Sequence, residues 1–320
     1  MSGHEGPYFD ELSVGDVFDT APALTLSAGR AAVHQSILGN RLRLSLDAGL
    51  AKRVAGTELA DPNFVWDVAI GQSTLVTRRV VANLFYRGLA FHRLPSIGDT
   101  LSTRTEVVGL RQNASRPSGL AALRITTRDQ EDRLVLDFWR CAMLPLSSRD
   151  VQTGHADDLG SIGTAPDSAS LSAAVAAWDL SGFPASNIAK GDAWVLEAGD
   201  LVSGATELAR LSLNLAHVHH DRFSQASGRL VYGGHTIGLA LAQLTRTLPN
   251  LITIAGWHSC DHTGPVREGD TLVSAIEVLD VEEGQAGGIM AVTLRVLVSA
   301  KRDNHASEPV LDWTLTALSK

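Results

Sequence analysis

Residues 212–238 hold the densest set of groups able to do chemistry. Asn214, His217, His219, His220 and Asp221 put five polar or titratable side chains into eight positions. Histidine titrates near neutral pH, so such a cluster can take up and return protons. Further on, Gly233-Gly234 precedes the apolar run Ile237 to Leu244, rich in Leu, Ala and Gln and without proline, which predicts a helix. A glycine pair opening a helix leaves backbone N–H groups bare, with the positive end of the helix dipole behind them. Such a site can hold an oxygen as it becomes an enolate. Together these features suggest proton transfer beside a stabilised oxyanion. A plainer reading stays open, in which Gly-Gly is a tight turn and the histidines are surface or core residues. If the stretch is extended, His217, His219 and Asp221 share one face and Val218 and His220 the other.

The rest of the chain must position these groups. It has 320 residues, 44% hydrophobic and 19% charged, which fits a globular protein of one large or two medium domains. The formal charge of −8 argues against nucleic acid or an anionic membrane as partner, and an anionic ligand would need a local basic pocket. Cys141 and Cys260 lie far apart and form no CxxC or metal-ligand spacing, so no metal is expected. They read as thiols in a reducing compartment. The first residues lack the basic and apolar regions of a signal peptide, and no apolar run reaches the roughly 18 residues that span a bilayer. The expected location is cytoplasmic.

A weak internal repeat organises the sequence. Ser96-Ile97-Gly98-Asp99-Thr100-Leu101 recurs as Arg267-Glu268-Gly269-Asp270-Thr271-Leu272, and Val135-Leu136-Asp137-Phe138-Trp139 as Val310-Leu311-Asp312-Trp313, at offsets of 171 and 175. Two copies of one fold are expected. In the first, Val65–Val76 predicts a helix, and Val80–Tyr86, Ser102–Val108, Leu120–Thr127 and Arg133–Leu144 predict strands. In the second, Gly234–Leu248 is the helix, ended by Pro249, and Ile252–Cys260, Thr271–Leu279, Gly288–Ala300 and Val310–Leu318 are strands. Ala286-Gly287-Gly288 signals a turn. The division is residues 1–146, a linker at 147–172 rich in Ser, Gly, Asp, Thr and Ala, and residues 173–320. One helix per half with a run of antiparallel strands makes the fold class α+β, each helix packed on a curved sheet.

These residues resemble the MaoC-like acyl-CoA hydratases and dehydratases, within them the mesaconyl-CoA hydratase (β-methylmalyl-CoA dehydratase) branch and, at least as much, a set of actinobacterial double-hotdog proteins of unassigned substrate. The match rests on Asn214-x-Ala216-x-Val218-His219, on Arg229-Leu230-Val231-Tyr232-Gly233-Gly234-His235, on the two Gly-Asp-Thr-Leu turns and on Thr105-Glu106-Val107-Val108-Gly109-Leu110. It covers nearly the whole chain. The resemblance implies a double hotdog, with each central helix wrapped by its sheet. The broader family reads Asp-x-Asn-Pro-x-His-x-Asp at the chemical loop. Here Asn214 falls at the first Asp, Ala216 at the Asn, His217 at the Pro, His219 at the His and Asp221 at the last Asp. The first half carries Asn40, Leu42, Arg43, Ser45 and Asp47 at those places and so lacks the histidine.

The resemblance therefore implies one live site, in the second half. His219 would be the general acid/base and Asn214 would orient water or a substrate carboxylate. Gly233 and Gly234 would hold the thioester oxygen, while Tyr232, His235 and Arg229 would contact substrate, Arg229 at a phosphate or a carboxylate. An amide cannot act as general base, so Asn214 departs from the broader family; an Asp there would repel a substrate carboxylate. An alternative frame makes His217 the acid/base. Asp261-His262 can line the pocket rim, and Trp66, Ile70 and Leu75 would set its depth if they face inward.

The expected activity is a hydro-lyase adding or removing water across an α,β-unsaturated acyl-CoA. Coenzyme A enters as part of the substrate and no separate cofactor is implied. Two alternatives stand beside it: a degenerate hotdog that binds acyl-CoA without turnover, and an (R)-specific hydratase of fatty enoyl-CoA. A thioesterase would want a carboxylate on the second central helix, which carries none. Exposed sheet edges would allow a homodimer.

Overall fold

The computed structural model describes residues 5–166, 169–225, 228–283, 288–302 and 307–320. In chain order the first half forms β1 (Val17–Phe18), β2 (Leu24–Thr25), α1 (Ala28–Leu38), α2 (Arg43–Leu46), α3 (Ala48–Ala55), α4 (Pro62–Gln72), β3 (Ala82–Phe91), β4 (Thr100–Gln112), β5 (Ser118–Arg128) and β6 (Leu134–Pro145). Then come α5 (Ala169–Ala176), β7 (Ala193–Val195), β8 (Asp200–Leu201), α6 (Ala205–Leu211), α7 (Gly233–Thr247), β9 (Leu251–His262), β10 (Thr271–Glu283), β11 (Met290–Lys301) and β12 (Ser307–Ser319).

One antiparallel sheet runs β1-β4-β5-β6-β3-β9-β12-β11-β10-β7, an order that reads the same from either end. The halves join where β3 pairs with β9, Tyr86 opposite Cys260 and Phe85 opposite Asp261. Every residue of α4 is buried, as are residues 234–245 of α7. Helices buried on all sides form the core, and polar groups they carry there, such as Asp67, Gln72 and Gln243, are hydrogen-bonded. At that core Trp66 of α4 packs edge-on against Trp257 at 4.9 Å and Trp313 at 6.2 Å.

The repeat has a physical cause. Asp99 and Asp270 each accept the amide N–H three residues earlier, at 2.8 and 2.9 Å, closing the same turn. Gln72 of α4 donates to the Leu101 carbonyl at 2.9 Å, and Gln243 of α7 donates to that of Leu272 at 2.8 Å. Asp137 and Asp312 each meet an arginine of the adjoining strand, Arg124 at 3.2 Å and Arg295 at 2.6 Å. The recurring motifs are therefore the joints that hold each helix to its sheet and each sheet in register.

The expected helices and strands are present, with shifted ends. The first helix starts earlier than Val65, because Asp61 caps it by accepting from Asn63 N–H at 2.7 Å and Pro62 occupies its first turn. The strand expected from Val80 begins at Ala82 and runs on to Phe91. Most of the Ala286–Gly288 turn lies outside the described residues. The 147–172 segment is irregular up to residue 166, but its last residues already belong to α5. It is also attached to the first half: Leu110 N–H donates to Asp157 at 2.8 Å, and Leu159 packs on Ala122 and Cys141.

Candidate active site

The loop that carries Asn214 and His219 is held by the first half. Leu213 sits in the left-handed region at φ 63°, which turns the chain out of α6. Asn214 then stays in place through its own side chain, whose Oδ1 accepts Ala216 N–H at 2.9 Å. Leu215 N–H donates to Thr74 Oγ1 at 2.9 Å and His217 N–H to the Arg78 carbonyl at 2.9 Å, both just beyond α4. Residues His217–His219 form a 3₁₀ turn rather than an extended segment. Their side chains therefore do not alternate between two faces. The amides of His219 and His220 close turns onto the Ala216 and His217 carbonyls, both at 3.0 Å.

The same construction stands in the first half. Gly39 is left-handed at φ 72°, Asn40 Oδ1 accepts Leu42 N–H at 2.8 Å, and Arg41 N–H donates to Thr245 Oγ1 at 3.0 Å, just as Leu215 does to Thr74. There the amide of Asn40 is spent on Asp61, Arg43 points to the Pro249 carbonyl and Asp47 caps α3.

The second-half loop opens on a cavity of about 950 Å³ that lies between the halves. His219 and Asn214, 9% and 3% exposed, stand in its wall with Tyr232 and Gly233. His219 Nδ1 lies 3.0 Å from the Leu230 carbonyl. A carbonyl only accepts, so Nδ1 carries the proton and Nε2 keeps its lone pair. Burial pulls the His219 pKa down to about 4, and the nearby charge of Arg140 pushes the same way. The ring is neutral at pH 7. With Oδ1 of Asn214 committed to Ala216, its Nδ2 is the end left to donate into the cavity.

Tyr232 caps the start of α7 and its hydroxyl donates to Asp67 Oδ1 at 3.0 Å. Asp67 lies on α4, fully buried, and its Oδ2 also accepts from His34 at 2.9 Å and Asn63 at 3.0 Å. Burial, then the Asp67 charge, pushes the Tyr232 hydroxyl well above its ordinary pKa, so it stays protonated. This buried network locks the entrance of α7 to α4.

The remaining sequence candidates separate. Gly233 lines the cavity, with the ring of His262 against its α-carbon. Gly234 faces inward; a Cβ there would lie 2.3 Å from Asp67 Oδ1, so its lack of a side chain serves the network above. His235 is fully buried off the cavity wall, and burial drops its pKa to about 4. Arg229 also lies outside the wall; it pairs with Glu268 at 2.6 Å, its guanidinium 3.5 Å from the His219 carbonyl. His217 and His262 do line the cavity, as does Ile70, whereas Trp66 is absorbed in the aromatic core and Leu75 is not in the wall.

Four arginines line the cavity, Arg78, Arg79, Arg140 and Arg267, against one described carboxylate, Asp221. Arginine thus outnumbers acid in this wall although the chain carries −8, and Arg79 also pairs with Glu5 at 3.5 Å. Arg140 lies outside every motif named above. The available signal was a cation on the face of β6 that also carries Phe138 and Ala142, where alternation calls for an apolar residue. Among the described residues no group of three or more His, Cys, Asp or Glu is placed to hold a metal, and no helix is long and apolar enough to cross a membrane.

No family model matches the chain. It is nevertheless similar over nearly its whole length to two named enzymes. It is 30% identical to the β-methylmalyl-CoA dehydratase of Chloroflexus aurantiacus, over 98% of this chain and 97% of that one. With the mesaconyl-CoA hydratase of Cereibacter sphaeroides the identity is 29%, over 97% and 92%. Among solved structures, the double-hotdog protein Rv0216 of Mycobacterium tuberculosis superposes with a TM-score of 0.90 at 53% identity, over 99% of both chains. A MaoC-domain dehydratase structure from Chloroflexus aurantiacus does so at 0.83 and 25%, over 98% and 97%. The fold, the loop and these full-length likenesses together mean that the chain belongs to the MaoC-like double-hotdog acyl-CoA hydratases and dehydratases.

Proposed function

We propose that the protein is a hydro-lyase that adds water to, or removes it from, a branched dicarboxylic enoyl-CoA of the mesaconyl-CoA and β-methylmalyl-CoA type. The observation that carries this reading is His219, neutral and oriented by Leu230, with Nε2 free in the wall of a cavity rich in arginine. In hydration, Nε2 takes a proton from water as the water oxygen bonds the β-carbon. The alkene electrons move onto the thioester oxygen, and the bare amide at the start of α7, at Gly233, stabilises that charge. The enolate then collapses as His219 returns the proton to the α-carbon. Water is consumed whole, and dehydration is the same path reversed. Asn214 donates to the water or to the forming hydroxyl oxygen. Arginines at the cavity mouth offset the phosphates of coenzyme A.

The test is loss of enoyl-thioester absorbance with purified protein and mesaconyl-CoA, crotonyl-CoA and a medium-chain enoyl-CoA, with His219→Ala as control. Turnover of mesaconyl-CoA that vanishes in the variant is expected. Turnover of only the monocarboxylic thioesters would keep the reaction and overturn the substrate. A second reading, an acyl-CoA binder without turnover, is favoured by one observation: Asn214 stands where the broader family has an acid, and its oxygen is already used by Ala216. Binding of all three thioesters with no turnover would establish it.

A further inference from the structure

Arg140 sits on β6 between Tyr86 of β3 and Leu123 of β5, 4% exposed, in the cavity wall. Its guanidinium donates to Thr77 Oγ1 and lies beside the Tyr86 hydroxyl, both neutral groups. The carboxylates on this side are engaged elsewhere: Asp67 with His34, Asn63 and Tyr232, and Asp221, the one described carboxylate in the cavity wall, with Phe223 N–H at 2.8 Å. A buried cation held by neutral partners alone is costly unless an anion meets it. It has company in that respect. Arg140 Nε, both side-chain amide atoms of Asn83, and His262 Nε2 are buried without a described partner, and all three residues line the same cavity. Unmet donors and acceptors of this kind are expected to find partners in a ligand.

We propose that Arg140, seated on Thr77 and Tyr86 and flanked by Asn83 and His262, receives a free carboxylate carried on the acyl chain. The inference rests on the hydratase reading above and deepens it. A guanidinium can take a carboxylate through two parallel N–H donors, which fixes the acyl chain's orientation as well as its charge. The half that lacks the histidine thus sets which acyl group is accepted, and the half that has it does the chemistry. The two groups also sense each other, because Arg140 disfavours protonation of His219. A carboxylate docked on Arg140 cancels that repulsion and makes His219 a better base only when the right substrate is bound.

The experiment compares mesaconyl-CoA with 2-methylcrotonyl-CoA, in which a methyl group replaces the carboxylate, on the wild type, Arg140→Met and Arg140→Lys. The wild type is expected to favour mesaconyl-CoA in kcat/KM. Arg140→Met should lower that value about 10²-fold, the scale of breaking one buried charge pair, with a loss on the methyl analogue at least tenfold smaller. Arg140→Lys should fall between, keeping charge without the fork. Equal use of both thioesters by the wild type, or equal losses on both in Arg140→Met, would overturn the assignment. If Arg140→Met does not fold, the wild-type ratio and Arg140→Lys decide. If neither thioester turns over, the hydratase reading falls, and the ratio of their binding affinities for wild type and variant still decides the carboxylate site.

Discussion

Gly71, in the last turn of α4, and Ser212, in the loop of the other half, meet backbone to backbone: a Cβ on Gly71 would lie 1.7 Å from the Ser212 carbonyl oxygen and 3.2 Å from Asn214 N. The loop that leads to Asn214 and His219 rests directly on the first-half helix, and only glycine permits it. Gly71→Ala must push the loop away or distort α4. The expected result is a loss of about 1–3 kcal/mol, the usual scale of overpacking, seen as a lower melting temperature. Turnover should fall with it, because Asn214 and His219 ride on the displaced segment.

His219→Gln keeps a side chain of comparable reach without a titrating nitrogen. Its kcat should drop about 10²–10⁴-fold, the range for general acid–base help. The melting temperature should change much less than in Gly71→Ala. Steady-state kinetics beside thermal unfolding of both variants separates the chemical role from the structural one.

The pH dependence follows from three histidines. Burial lowers His219, His235 and His262 from the ordinary 6.5 to about 4. In the unfolded chain they protonate near 6.5, so unfolding takes up protons between pH 6.5 and 4. Their contribution to stability is fully present above about 6.5 and is lost as pH falls toward 4. Denaturant titrations at pH 7.5, 6 and 5 should show the midpoint falling steadily. The acid limb of kcat/KM, followed where the protein remains folded, should lie well below pH 6 rather than at the usual histidine value.

Asn214→Asp tests why an amide stands at this position. An aspartate still accepts from Ala216 N–H, so the loop should keep its shape. What changes is the group facing the cavity: a donor becomes a negative charge beside a dicarboxylic substrate. Turnover of mesaconyl-CoA is expected to fall at least about tenfold, the scale of losing a hydrogen bond to a charged group. A variant faster than wild type on that substrate would count against this role for Asn214.

Tyr232→Phe removes the hydroxyl that meets Asp67 Oδ1 across the two halves. The carboxylate stays buried with one oxygen unpaired. The cost should be about 1–3 kcal/mol, measured by denaturant unfolding. Tyr232→Phe made together with Asp67→Asn should recover part of it, since the orphaned charge is then gone.

Much of this was legible in the chain alone. Alternation marked β4, β5, β6 and the four long strands of the second half, because each strand packs one face on a helix. The paired Gly-Asp-Thr-Leu turns announced two copies of one fold, and Gln72 and Gln243 now show what those turns are for. The loop from Asn214 to His219 and the glycine pair after it stood out as candidates because their residue types are rare together. The surroundings of Gly234, His235 and Arg229 were not legible there: a Cβ on Gly234 would meet Asp67, His235 is fully buried and Arg229 pairs with Glu268, each a contact with a residue distant in sequence or a depth no local pattern gives.

The sequence by itself determined the local parts: helix and strand periods, turn chemistry, the duplication, and a neutral amide where an acid would be expected. Those depend on residues a few positions apart. Tertiary structure alone decided that α4 of one half carries the loop of the other, that Asp67 reaches Tyr232, and that Arg140 stands in the same cavity as His219. Each joins residues some 80 to 165 positions apart. Such contacts exist only once both halves share one sheet through β3 and β9, and no local pattern encodes that seam.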